Sequence, residues 1–262
     1  MDNLKISLGF LISLALVFYS FTFSKDEKIE IILSENLIPE KNTSKFSKFA
    51  EWQDYDRLSY SDTVKIYKED YISSIVNKNN LDPKSWSDLY LKLSIEDDNK
   101  LNLISSMLFD LKNENNLNPD EFAKLIVSFV QHIPYSLLVR RSCKEASKNK
   151  SIRNMIKNGV DCEGNIYAGI YTPMEFIKNF KGDCDTRTVF LYTLMKNIGY
   201  DVVIMNSKQY AHSILGIRLA ASGKYKKYKG KKYYVWETTN TGWRVGNIPP
   251  KYNKLENWNI IL

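Results

Sequence analysis

Tyr171 to Val202 reads YTPMEFIKNFKGDCDTRTVFLYTLMKNIGYDV, and this stretch decides the fold. Thr172-Pro173-Met174-Glu175 is a capping box with proline at the first helical position, so a short helix starts there and ends by Phe180. Lys181-Gly182-Asp183-Cys184 is a turn. A second helix is expected from Asp185 to about Ile198, stopped at Gly199 as a C-cap glycine stops one. Beyond it the period changes. Asp201–Met205 (DVVIM), His212–Ile217 (HSILGI) and Tyr233–Glu237 (YYVWE) are short β-branched or aromatic runs separated by turn residues. Trp243–Val245 and Trp258–Leu262 are candidates for two more strands. Helices first and antiparallel strands after them make an α+β class with segregated elements.

Toward the N-terminus the chain reads as helices. Asn118-Pro119-Asp120-Glu121 is a helix start that leads into Phe122, Leu125, Ile126, Phe129 and Val130 on one face, ending near Ile133-Pro134. Leu101, Ile104, Met107, Leu108 and Leu111 hold helical spacing. Asp82 and Pro83 supply a cap and first-turn proline for Trp86, Leu89, Tyr90 and Leu93. The expected organisation is a tether over residues 25–51 with a short strand at Ile29–Leu33, a helical region over 52–117, and a core over 118–262. Tyr135 to Ile170 reads as an irregular, basic segment holding Cys143 and Cys162.

Residues 1–24 are a separate matter. Ile6 to Phe23 are eighteen uncharged, mostly apolar residues. As a helix they measure about 27 Å, close to the ~30 Å hydrocarbon core of a bilayer. Phe21 and Phe23 crowd the small residues that a signal peptidase would read, which favours an uncleaved anchor through residues 4–24 over a cleaved signal. The body is then expected outside the cytoplasm, at a cell surface or in a periplasm, and secreted if the segment is removed.

The 262 residues carry 44% hydrophobic and 13% aromatic side chains, which excludes disorder for the bulk of the chain. Net charge is +7, and six lysines fall in Lys224–Lys232 (KYKKYKGKK), so one segment accounts for most of it. That run is expected as a solvated hairpin loop, with contact to an anionic envelope surface as its functional reading. Nucleic acid is not expected as a partner. Three cysteines are too few for an all-cysteine zinc site and there are only two histidines, so no metal is expected and no cofactor is called for. In an exported chain Cys143 and Cys162 would pair in a disulfide closing a loop of about 20 residues, worth on the order of 3 kcal/mol. In a reducing compartment they would be two thiols. Cys184 is left over either way.

Cys184 sits at a helix start, where unpaired N–H groups and the helix dipole favour the nucleophilic thiolate. Lys181 and Arg187 add positive charge, while Asp183 and Asp185 oppose it. His212 begins a strand 28 residues on, and Glu237 ends the following one. Adjacent antiparallel strands can hold His212 and Glu237 together, and a helix packed across them can present Cys184 to the imidazole. In that arrangement His212 takes the thiol proton and Glu237 fixes its tautomer. The first oxyanion donor is expected at the backbone N–H of Cys184, with the Gln131 side chain as a candidate partner.

Four stretches carry a family resemblance: FVQHIPY (Phe129–Tyr135), Tyr171–Val202, YAHSILGI (Tyr210–Ile217) and YYVWETTNTGW (Tyr233–Trp243). Together they resemble the transglutaminase-like superfamily, a branch of the papain-like cysteine enzymes. The resemblance covers a little under half the chain. It implies a nucleophile helix packed on an antiparallel sheet, and acyl transfer from an amide through a thioester. Three departures stand out. Glu237 replaces the usual Asp, Thr238-Thr239 replaces a Pro-Thr pair, and Asp185 stands where animal transglutaminases often carry Trp. The last leans toward the hydrolytic bacterial members. The function expected is therefore a membrane-anchored cysteine hydrolase of a protein or peptide at the cell envelope. The rival is a non-catalytic binding module on the same fold.

Overall fold

Period-two burial builds the first elements of the computed structural model, which describes residues 44–262. Strands β1 (Lys45–Gln53) and β2 (Ser59–Tyr67) pair antiparallel from Lys45 opposite Tyr67 to Gln53 opposite Ser59. Ala50, Trp52, Tyr60, Val64 and Ile66 face inward, while Ser47, Glu51, Ser61 and Lys65 do not. At the turn Asp54 Oδ1 accepts from the N–H groups of Asp56 (2.8 Å) and Leu58 (3.1 Å). This hairpin corrects the expected tether up to residue 51 and helical region from Trp52. Its apolar residues are few and spaced by two, so they carry no helical period. The expected anchor and the strand at Ile29–Leu33 lie outside the described residues. Among the described residues no helix is long and apolar enough to cross a membrane.

Four helices follow: α1 (Lys68–Asn79), α2 (Trp86–Asp97), α3 (Asn102–Glu114) and α4 (Pro119–His132). The cap of α2 is Ser85, whose side chain accepts from Asp88 N, rather than Asp82. Helix α4 opens on the expected capping box of Asn118 and Glu121 and ends at Ile133. The segment read as irregular contains β3 (Ser136–Leu138), α5 (Cys143–Ala146), α6 (Lys150–Lys157) and β4 (Asp161–Glu163). β3 and β4 pair in parallel, and a Cys143–Cys162 disulfide ties α5 to β4. Then α7 (Pro173–Asn179) starts on the Thr172–Glu175 capping box, and its chain reverses through Phe180 at φ 55°. Helix α8 (Cys184–Asn197) is capped by Asp183 and followed by Gly199 at φ +100°.

Helix α8 is buried almost all round, from Cys184 to Met195. Its polar residues are satisfied within the protein: Thr188 Oγ1 donates to Cys184 O (2.7 Å) and Thr193 Oγ1 to Val189 O (2.8 Å). The helix packs against a five-stranded antiparallel sheet of β5 (Val202–Ser207), β6 (His212–Ile217), β7 (Tyr225–Tyr228), β8 (Lys231–Trp236) and β9 (Asn259–Ile260). Their order is β7-β8-β6-β5-β9.

One apolar cluster runs from the hairpin through the helices to Ile204, Leu215, Ile217 and Trp236 of the sheet. A second covers its other face with Val203, Met205, Ile214, Val235, Ile248 and Trp258. Burial on both faces explains why β5 and β6 read as continuous apolar runs instead of alternating ones. Trp243–Val245 is not a strand, and the last strand is shorter than expected.

The lysine run also differs from the expected loop. It forms β7 and β8 around a two-residue turn at Lys229 (φ 47°) and Gly230 (φ 76°), the left-handed pair that a tight hairpin demands. Lys224 and Lys226 donate to backbone carbonyls of the C-terminal segment, and Lys231 pairs with Asp201 at 2.8 Å.

Candidate active site

The start of α8 meets the start of β6. The backbone N–H of Ser213 donates to the Cys184 sulfur, and the thiol donates to Asp185 Oδ1 at 3.8 Å. His212, the first residue of β6, places Nε2 2.9 Å from Glu237 Oε2, and both side chains are buried. Glu237 stands one residue past β8. Its second oxygen accepts from Thr238 N (3.0 Å), Thr239 N (2.9 Å) and Thr239 Oγ1 (2.6 Å). Burial pulls the Glu237 carboxyl upward, but the His212 bond and charge and the Thr239 donors outweigh it. The group therefore stays below the usual carboxylate range. With Nε2 held by Glu237, Nδ1 is the ring nitrogen left for proton exchange.

The charge around the thiol departs from expectation. Burial, then the carboxyls of Asp185 and Asp183, push the Cys184 thiol well above its ordinary value, with the Ser213 bond opposing. These outweigh what the helix start supplies. Neither cation offsets them. Lys181 turns to β4, where it pairs with Asp161 (3.1 Å) and with Glu163. Arg187 is fully buried and donates to the carbonyls of Gly182 (3.0 Å), Val130 (2.6 Å), Thr238 (3.2 Å) and Ile133. It ties the end of α4, the turn before α8 and the strand end beside Glu237 to one point.

Gln131 is not an oxyanion donor. Its Nε2 gives both hydrogens to backbone carbonyls, Glu237 O at 2.7 Å and Trp243 O at 3.0 Å. An amide nitrogen has no third hydrogen to offer. Gln131 is a brace on the Glu237 segment.

Asp183 caps α8 through Thr186 N at 3.0 Å. Burial, then the Asp185 charge, push its carboxyl up to about 8. The native chain therefore holds a proton that the unfolded chain, titrating near 3.8, has released, and stability falls as pH rises between those values. Asn caps a helix as well as Asp and does not titrate. Asp183→Asn is expected to flatten that decline, as read from urea unfolding at several pH values between 4.5 and 7.5, roughly the window set by linkage.

Several site residues carry no signal local to Cys184. Tyr252 lies along the His212 ring with centroids 4.7 Å apart, and Trp258 meets it edge-on at 5.9 Å. Both come from the C-terminal segment. On β6, Ser213 Oγ donates to Asp185 Oδ1 (2.6 Å) and accepts from Asn206 Nδ2 (2.9 Å), with Tyr90 OH 3.5 Å away. A cavity of about 660 Å³ opens beside this network, walled in part by Trp86, Tyr90, Asp185, Lys208, His212 and Ile261. Cys184 itself is buried and is not part of its wall. Among the described residues no three His, Cys, Asp or Glu side chains cluster so as to hold a metal ion. No protein-family model, curated protein or solved structure matches the chain.

Proposed function

We propose that this chain is a cysteine hydrolase with a papain/transglutaminase-like core, acting on an amide of a protein or peptide at the cell envelope. One observation carries the reading. A buried His212–Glu237 pair at 2.9 Å stands beside a helix-start thiol whose sulfur takes the N–H of the residue after His212. The thiol proton passes to His212 Nδ1 as the sulfur attacks the amide carbonyl. Glu237, held ionised, stabilises the imidazolium. His212 then gives the proton to the departing amine, and water attacks the thioester with His212 as base. The Cys184 N–H, in the first turn of α8 where no helical acceptor exists, is the first oxyanion donor. Tyr135 replaces Gln131 as candidate for the second. Its phenol is an O–H donor, and burial with the neighbouring Cys184, Asp183 and Asp185 raises it further from ionisation.

The Cys143–Cys162 disulfide supports an oxidising compartment, as an exported body tethered through residues 4–24 would have. Lys227, Lys229 and Lys232 remain as the part of the hairpin that would meet an anionic envelope polymer.

A second reading is a binding module without catalysis. The buried, upward-shifted thiol favours it. The two separate on acylation. An activated ester leaves an acyl group on Cys184 of a hydrolase and none on a module.

A further inference from the structure

Asp185 is the residue the proposed mechanism leaves unused, and it stands where substrate would enter. Its Oδ1 accepts the Cys184 thiol at 3.8 Å and the Ser213 hydroxyl at 2.6 Å, so β6 anchors it against the sulfur. It also forms part of the wall of the 660 Å³ cavity, in which it is the one acidic side chain among the described residues. Two aromatic rings stand in the same wall, Trp86 and Tyr90, packed edge-to-face with centroids 5.9 Å apart. Trp86 already carries a guanidinium, that of Arg140, over its ring at 5.5 Å.

A carboxylate flanked by aromatic faces is the chemistry that recognises an organic cation. The other charged groups around the thiol do not compete for that role. Glu237 is matched by His212, Arg187 is spent on backbone carbonyls, and Asp183 is turned to its cap. Lys208 is the one lysine in the cavity wall among the described residues, and it is exposed.

Resting on the hydrolase reading, we infer that Asp185 selects substrates bearing an ammonium or guanidinium group beside the scissile amide. The carboxylate accepts the hydrogen bond of the thiol. A bound cation draws the carboxylate's charge onto itself, and the proton is freed for His212. Substrate charge and nucleophile release are thereby linked through one side chain, which acts as a specificity and positioning residue.

The test uses the full chain in detergent and two methanethiosulfonates of similar size, 2-aminoethyl and 2-sulfonatoethyl. With either, the Cys184 sulfur forms a disulfide to the reagent, methanesulfinate departs and the thiol proton goes to solvent. Cys184 is the one cysteine outside the disulfide, so the signal is unambiguous. Rates are divided by those of a small thiol in solution. The cationic reagent is expected to be favoured by about tenfold at low salt, a local charge effect of that order. Asp185→Asn should bring the ratio toward one. Lys208→Met, on an exposed side chain, should raise it, so the inference stays testable if the first variant folds poorly. A ratio of one in the native chain, or a ratio that ignores both substitutions, overturns the inference alone. Failure of both reagents on the native chain, with modification after unfolding, overturns the hydrolase reading and this inference with it.

Discussion

Replacing His212 with alanine is expected to slow iodoacetamide alkylation of Cys184 at neutral pH by about 10²-fold, the lower end of what a positioned base contributes. The expectation follows from the state of the thiol. Burial and the Asp185 carboxylate oppose the thiolate, so the sulfur is not a standing nucleophile. Reactivity then depends on a base that can take the proton, and His212 is the base at the β6 start. Glu237→Gln should cost about as much, by a different route. Glu237 Oε1 accepts three donors from Thr238 and Thr239, so the glutamine oxygen must stay there and its NH₂ must face His212. Nε2 would then be an acceptor and Nδ1 would carry the hydrogen, the wrong tautomer for receiving a proton. The rate of alkylation against pH, followed by intact mass, measures both. Rates within twofold of the native chain, against the roughly hundredfold expected, would remove His212 from the mechanism.

The second large effect concerns stability. Lys78→Met is expected to lower the unfolding free energy by about 3–5 kcal/mol, the usual cost of leaving one member of a buried pair alone. Lys78 Nζ lies 2.6 Å from Glu175 Oε2, and both residues are buried between α1 and α7. Glu175 also closes the capping box by accepting from Thr172 N at 2.8 Å, so it cannot simply turn away. Met keeps the length of the stem and leaves the carboxylate without its cation. Adding Glu175→Gln should recover part of the loss, because the amide oxygen can keep the cap while the orphaned charge disappears. Urea unfolding of the single and double variants gives the comparison. A single variant within about 1 kcal/mol of the native chain would mean that the pair contributes no more than an exposed one.

What could be read from sequence divides along physical lines. Helices α4, α7 and α8 and strands β5, β6 and β8 were legible, because caps, first-position prolines and apolar periods are local signals. So was the placing of Cys184, His212 and Glu237 on neighbouring elements, since turn lengths between strands constrain it. The β1–β2 hairpin was not, because its five inward residues are interleaved with charged ones over a short span. The thiol's environment was misjudged for a related reason. A helix start is visible in sequence, but burial and the direction in which Lys181 and Arg187 turn depend on β4 and on carbonyls more than 50 residues away. Gln131 failed the same way, its partners lying on the Glu237 segment. Tyr252 and Trp258 reach His212 only because the C-terminal segment folds back over the outer face of the sheet.

The central claim is that Cys184 forms a thioester, and trapping that thioester tests it most directly. The native chain is mixed with an activated ester such as p-nitrophenyl acetate, quenched in acid, digested and mapped by mass. A single acyl group on the Cys184 peptide is predicted, lost on treatment with hydroxylamine at neutral pH, absent from Cys184→Ala and strongly reduced in His212→Ala. Acylation that persists in Cys184→Ala, or a native chain that takes up no acyl group at Cys184, would contradict the account.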